Sequence, residues 1–181
     1  MIEFSFLLTE SVVVLGWIFF RLGAYIKYRA FNWKREVFQL LFLINLMVIG
    51  RMVFHPMRTE NNRILPLVLD TDAIWPFRIN LKPLVYLFDY ESKRDMWLNI
   101  IGNFAMFIPT GILTPLIYKH LDSLKKTLLT GFSISLTIEI IQLPFASRAS
   151  DIDDLLLNTA GCLAGYGILC LIRWIKKAIK E

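Results

Sequence analysis

Three pairs of polar side chains interrupt long apolar runs, and in each pair the spacing sets both residues on one face of a helix. Asn99 and Asn103 are four apart, Glu139 and Gln142 three apart, and Asp154 and Asn158 four apart. Amides carry donors and acceptors suited to sugars or peptides, while Arg51, Arg78 and Arg148 suit phosphate or carboxylate. These nine positions, with Asp151 as a tenth, are the candidate ligand-binding set. Glu139, Asp151 and Asp154, with Asp153 between the last two, also supply carboxylates for general acid–base work or for a divalent cation held by hard oxygen ligands. No serine, cysteine or histidine stands beside them as an activated nucleophile. Binding and catalysis both remain open at this point.

Such residues need elements to position them, and composition says which. The 181 residues are 56% hydrophobic and only 19% charged. The charges fall between long apolar runs, the pattern of an integral membrane protein. A net charge of +5 could indicate nucleic acid, but no basic stripe interleaves with aromatics, so no nucleic-acid partner is expected. Cys162 and Cys170 lie in one apolar run without metal-ligand spacing and read as small buried hydrophobes. Five runs are long enough to span a bilayer: 4–26, 36–55, 96–118, 124–144 and 155–175. The first is not a signal peptide, because no basic residue precedes it and Arg21 interrupts it. The expectation is an all-α integral membrane protein, a bundle of about five transmembrane helices forming a single domain over 1–181.

Short-loop Lys/Arg bias sets the orientation. Lys27, Arg29, Lys34 and Arg35 separate the first two runs. Lys119, Lys125 and Lys126 separate the third and fourth, and Lys176, Lys177 and Lys180 follow the fifth. These segments are expected in the cytoplasm, which places the N-terminus outside and the C-terminus inside. Segment 56–95 contains Pro56, Pro66, Pro76 and Pro83, which forbid one continuous helix. Trp75, Phe77 and Tyr86 suit an interface, so the segment reads as an extracytoplasmic cap between the second and third helices.

With that topology the three polar pairs share a level. At 1.5 Å per residue, all six side chains lie within about 10 Å of the outer boundary. Glu10 and Arg51 join that level, and Arg148 with Asp151 sits in the turn above it. Gly161 and Gly165 continue the Asp154–Asn158 face as a small-residue stripe on which another helix can approach closely. The opposing reading is that amides and ion pairs are merely glue between helices, but glue does not require so many carboxylates at one depth. Arg21 is expected to snorkel, Gln39 to sit at the inner interface, and Pro109 with Pro115 to bend the third helix. His55 and His120 fall on opposite sides and are given no role.

Asn99-x-x-Gly102-Asn103-x-x-x-Phe107-Ile-Pro109-x-Gly111, Glu139-x-x-Gln142, and Arg148-x-x-Asp151-Ile-Asp153-Asp154-x-x-x-Asn158-Thr-x-Gly161 together resemble the VanZ-like membrane proteins. The order, spacing and placement on consecutive helices agree over roughly 78–170. Arg78-Ile-Asn80-Leu-Lys-Pro83 is similar to that family's Asn-Leu-Ile-Pro-Phe segment, with Lys82 and Leu84 departing from it. The resemblance implies a cell-envelope protein whose founding relative confers low-level resistance to teicoplanin, a lipid-bearing glycopeptide, without remaking the peptidoglycan precursor terminus. Three roles follow as expectations. One is binding or handling of a lipid-linked cell-wall precursor or lipoglycopeptide, among membrane lipids, at an outer-leaflet polar site. Another is an intramembrane enzyme using the Glu/Asp cluster, and the third a small scaffold with Gly161 and Gly165 as its contact face.

Overall fold

A computed structural model describes residues 2–29, 31–55, 59–60, 63–69, 75–85, 92–145 and 148–180. In chain order the elements are β1 (Ile2–Phe4), α1 (Phe6–Tyr28), α2 (Trp33–Phe54), β2 (Thr59–Glu60), β3 (Arg63–Ile64), β4 (Leu67–Leu69), β5 (Ile79–Asn80), α3 (Lys93–Ile117), α4 (Leu124–Gln142), β6 (Ser150–Asp151) and α5 (Ile152–Ala178), with a 3-10 turn at Lys119–Leu121. The five apolar runs are thus five helices, and the strands are two or three residues long.

Four of the helices, α1, α2, α3 and α5, are long and apolar enough to cross a membrane. The expected fourth span does not meet that measure. Its helix is 19 residues long, with Lys125 and Lys126 in its first turn, Glu139 near its end, and hydroxyls at Thr127, Thr130, Ser133, Ser135 and Thr137 diluting the apolar content. Large hydrophobics such as Leu7, Phe19, Phe20 and Ile26 of α1 are exposed, which suits a surface covered by lipid rather than water.

The chain divides into two compact units, Met1–Ile79 with Ile140–Ser150, and Asn80–Glu139 with Asp151–Glu181. In the first unit, Ser5 caps α1 by accepting from the Leu8 N–H at 3.2 Å, and Asn32 caps α2 by accepting from the Arg35 N–H at 3.1 Å. The α1–α2 hairpin is cross-braced by an ion pair between Arg21 and Glu36 of the first turn of α2. Gln39, near the start of α2, is buried at 3% exposure. β1 pairs antiparallel with β4, Ile2 opposite Leu69 and Phe4 opposite Leu67. Phe145 adds a bridge to Leu69. Part of the 56–95 segment is therefore tied down by backbone pairing and by the buried Leu67, while Pro56 and Tyr86 lie outside the described residues.

In the second unit, α3 runs unbroken through Pro109 and Pro115 and packs backbone against backbone on α5. A Cβ at Gly161 would sit 1.9 Å from the Phe104 carbonyl oxygen, one at Gly165 2.1 Å from that of Ile108, and one at Gly111 1.9 Å from that of Cys162. The small-residue stripe is real, and its partner is α3 of the same chain. That corrects the scaffold reading, since Gly161 and Gly165 are not free to contact another protein.

Candidate functional site

The second unit gathers its polar residues where α5 begins. Asp151 caps that helix: its Oδ1 accepts from the Asp153 N–H at 2.9 Å and from the Asn80 amide at 3.1 Å. Negative charge at a helix start is complementary to the exposed N–H groups and to the macrodipole. The Asp151 N–H in turn donates to Glu139 Oε2 of α4 at 2.9 Å, and Glu139 is buried at 4% exposure. Asp153, equally buried, receives the Leu84 N–H on both oxygens, at 2.9 and 3.1 Å. Leu84 has a φ of 65°, a region unfavourable to a bulky side chain, and this paired acceptor offsets that cost.

Deeper along α5, side chains join the helices directly. Asp154 accepts from the Asn103 amide of α3. Asn158 donates to Ser135 Oγ of α4 at 2.9 Å, both side chains being buried, and its Oδ1 has no partner among the described residues. Asn99, one turn before Asn103, is half-buried and makes no hydrogen bond among the described residues. The three successive aspartates point to different partners. Among the described residues no group of three carboxylate, histidine or cysteine side chains is arranged to hold a metal ion.

The remaining candidates belong to the first unit and do something different. Gln142 Nε2 donates to the Val53 carbonyl at 3.1 Å, Arg148 Nε to that of Phe54 at 3.3 Å, and Arg51 Nη1 to that of His55 at 3.1 Å. Three consecutive carbonyls at the end of α2, orphaned by the helix's termination, are taken by one amide and two guanidiniums. Arg51 also lies over the Phe6 ring, 5.8 Å from its centroid. His55, fully buried, bridges Thr9 Oγ1 at 2.8 Å and the Leu65 carbonyl at 3.2 Å. Burial pushes its pKa below the ordinary histidine value, and the charges of Arg51 and Arg148 act in the same direction. Arg78 is exposed, and its carbonyl accepts from the Ser150 N–H at 2.9 Å. Two of the arginines expected to receive anions are, in this structure, caps on a helix end.

Of the ten predicted positions, the second unit links Asn103 with Asp154 and Glu139 with Asp151, joins Asn158 to a hydroxyl, and leaves Asn99 beside them. Spacing missed Asn80 and Ser135; it counted Asp153 among the carboxylates but did not foresee its partner. Ser135 stands one turn before Glu139, on the same face, and that signal could have found it. Asn80 lay within the quoted motif. Asp153 had no helical partner to mark it, because it bonds a loop backbone.

The VanZ/LLP1 family model matches residues 12–173. Over 72 residues the chain is 40% identical to Protein VanZ of Enterococcus faecium, a match covering 38% of this chain and 44% of that protein. The match thus spans less than half the length of that relative. No solved structure matches.

Proposed function

The chain belongs to the VanZ/LLP1 family, and from that premise we propose that this multi-pass membrane protein of the bacterial cell envelope holds the polar part of a lipid-linked envelope component or lipoglycopeptide and contributes to teicoplanin resistance. The observation that carries the reading is the hydrogen-bonded seam joining three helices of the second unit. Asn103 with Asp154, Asn158 with Ser135, and Glu139 with the Asp151 N–H are three contacts by which amides and carboxylates tie α3 and α4 to α5 and its cap. Helix glue would be complete within itself. This seam leaves the buried Asn158 Oδ1 without a partner among the described residues, and Asn99 stands one turn before Asn103 on α3, an acceptor and an amide for a sugar or peptide to use. An apolar tail would lie among the lipid-facing hydrophobics.

The orientation belongs to the same proposal. Basic residues in and beside the α1–α2 and α3–α4 turns and at the end of α5 support an outside N-terminus and a cytoplasmic C-terminus. The start of α5 then opens toward the outer leaflet, α4 makes a fifth crossing, and 56–95 forms a cap outside.

The test is teicoplanin susceptibility in cells expressing the wild type, Asn103→Ala, Asp154→Ala or Glu139→Gln at matched membrane levels. The wild type raises the inhibitory concentration and the first two variants remove the gain. Unchanged resistance in both would sink the proposal. Turnover of a lipid-linked substrate by purified wild type, lost in Glu139→Gln, would replace binding with catalysis.

A further inference from the structure

At the other end of the α1–α2 hairpin, a groove of about 410 Å³ opens in the first unit, walled by Trp17, Ile18 and Leu22 of α1 and rimmed by Tyr25 and Phe31. The Arg21–Glu36 pair lies in its wall, the two side chains only 18% and 19% exposed. Arg21 spends Nη2 on Glu36; Nε and Nη1 have no acceptor among the described residues. A guanidinium with unused N–H groups inside an apolar groove of a membrane-spanning hairpin needs an oxygen acceptor, because leaving such donors dry is costly. Seven residues past Arg21, about 10 Å along the helix axis, α1 ends; Arg29 just after it and Lys34 in the first turn of α2 are exposed. There Phe31 and Trp33 meet edge to face at 4.9 Å.

We propose that this groove seats an anionic glycerophospholipid. Glu36 neutralises Arg21, so the charge that selects the ligand is the excess positive charge of Arg29 and Lys34 at headgroup level, as in other basic pockets beside membrane helices. The Arg21 N–H groups take an ester or phosphate oxygen. One acyl chain lies along Trp17, Ile18 and Leu22, and the Phe31–Trp33 pair sits where aromatic rings favour the interface. The site is separate from the α5 seam and stands whether or not that seam binds an envelope lipid.

Native mass spectrometry of the full-length protein, loaded with phosphatidylglycerol or phosphatidylcholine, tests it. Wild type is expected to retain phosphatidylglycerol at least tenfold better than phosphatidylcholine. The surface pair Arg29→Gln with Lys34→Gln should cut that preference at least fivefold without affecting folding. Leu22→Trp, which fills the groove while leaving every charge in place, should displace the bound lipid. Arg21→Gln should lower retention of phosphatidylglycerol. Equal retention of the two lipids by wild type, or wild-type retention by Leu22→Trp, would overturn the proposal.

Discussion

The polar residues at the start of α5 and those at the end of α2 look alike in the sequence, yet they solve opposite problems. At the start of α5, carboxylates meet N–H groups: Asp151 caps the helix, Glu139 takes the Asp151 N–H and Asp153 takes that of Leu84. At the end of α2, cations and an amide meet carbonyls, those of Val53, Phe54 and His55. Each set carries the sign that its helix end calls for. The α5 region then goes further, with side chains bonding side chains on other helices through Asn103, Asp154, Asn158 and Ser135. The α2 caps spend donors on backbone carbonyls, and Gln142 Oε1, like Asn158 Oδ1, has no partner among the described residues. The seam differs in joining side chain to side chain across helices, where a ligand can exchange with either partner. That difference is why the functional proposal rests on α5 and not on the arginines.

The largest expected effect tests the packing that holds the seam in place. Gly161→Leu would drive a side chain into the Phe104 carbonyl, and its loss of stability should exceed about 4 kcal/mol, the range of severe core disruption. Gly167→Leu, on the same helix with nothing within 4 Å of its Cβ, should change little. Thermal unfolding in detergent compares the two directly, and a Gly161→Leu protein that melts like wild type breaks the account of α3 against α5.

Next in size is the seam itself. Asp153→Ala removes both acceptors of the Leu84 N–H and should cost about 2 kcal/mol, the penalty for a stranded buried donor. A double-mutant cycle of Asn103→Ala and Asp154→Ala should give a coupling of about 1 kcal/mol, in the range for polar contacts between membrane helices. A coupling near zero would remove the bond from the seam and return both residues to isolated roles.

The helices were legible because apolar runs of that length have few alternatives, and the paired spacings correctly set Asn103 and Asp154 on faces that meet. The Gly161–Gly165 stripe announced a close approach, but spacing carries no record of which surface approaches; here it is α3. Arg51 was grouped by level, Gln142 by its spacing from Glu139 and Arg148 by the motif, and none of these tells whether a donor meets a ligand or a helix's own last carbonyls. The partner of Asp153 and the pairing of β1 were illegible for a shared reason, since both act on backbone far along the chain, at Leu84 and at Leu67–Leu69. The shortfall of α4 as a span was present in Lys125, Lys126 and Glu139, and was outweighed there by the apolar residues between them.

A smaller effect is expected from the α2 end. Arg148→Gln should cost about 1 kcal/mol, since it removes a charged donor from one terminal carbonyl while Gln142 and Arg51 keep theirs. Teicoplanin resistance should survive it at matched protein levels. If resistance vanished while the melting temperature held, the cation would serve the ligand, and the contrast between capping and seam would fail.

The smallest effect is a pH dependence at His55. Its neutral ring donates from Nδ1 to the Leu65 carbonyl and accepts at Nε2 from the Thr9 hydroxyl. A proton on Nε2 would turn that hydroxyl toward the Phe6 carbonyl, 2.8 Å away, and would place a third positive charge beside Arg51 and Arg148. Burial lowers the folded-state pKa, whereas the unfolded side chain titrates near about 6.5. Below that value the unfolded state binds a proton that the folded state resists, so the stability contribution is complete above about pH 6.5 and declines as pH falls toward the lowered folded pKa. The slope contributed by this one group cannot exceed about 1.4 kcal/mol per pH unit. Melting temperatures of wild type and His55→Gln between pH 7.5 and 5 measure it: the variant should melt lower at pH 7.5, with a flatter dependence on acidification. Parallel curves would mean that the folded protein takes up the proton as readily as the unfolded chain, and that the α2 end tolerates cations as readily as the start of α5 takes carboxylates.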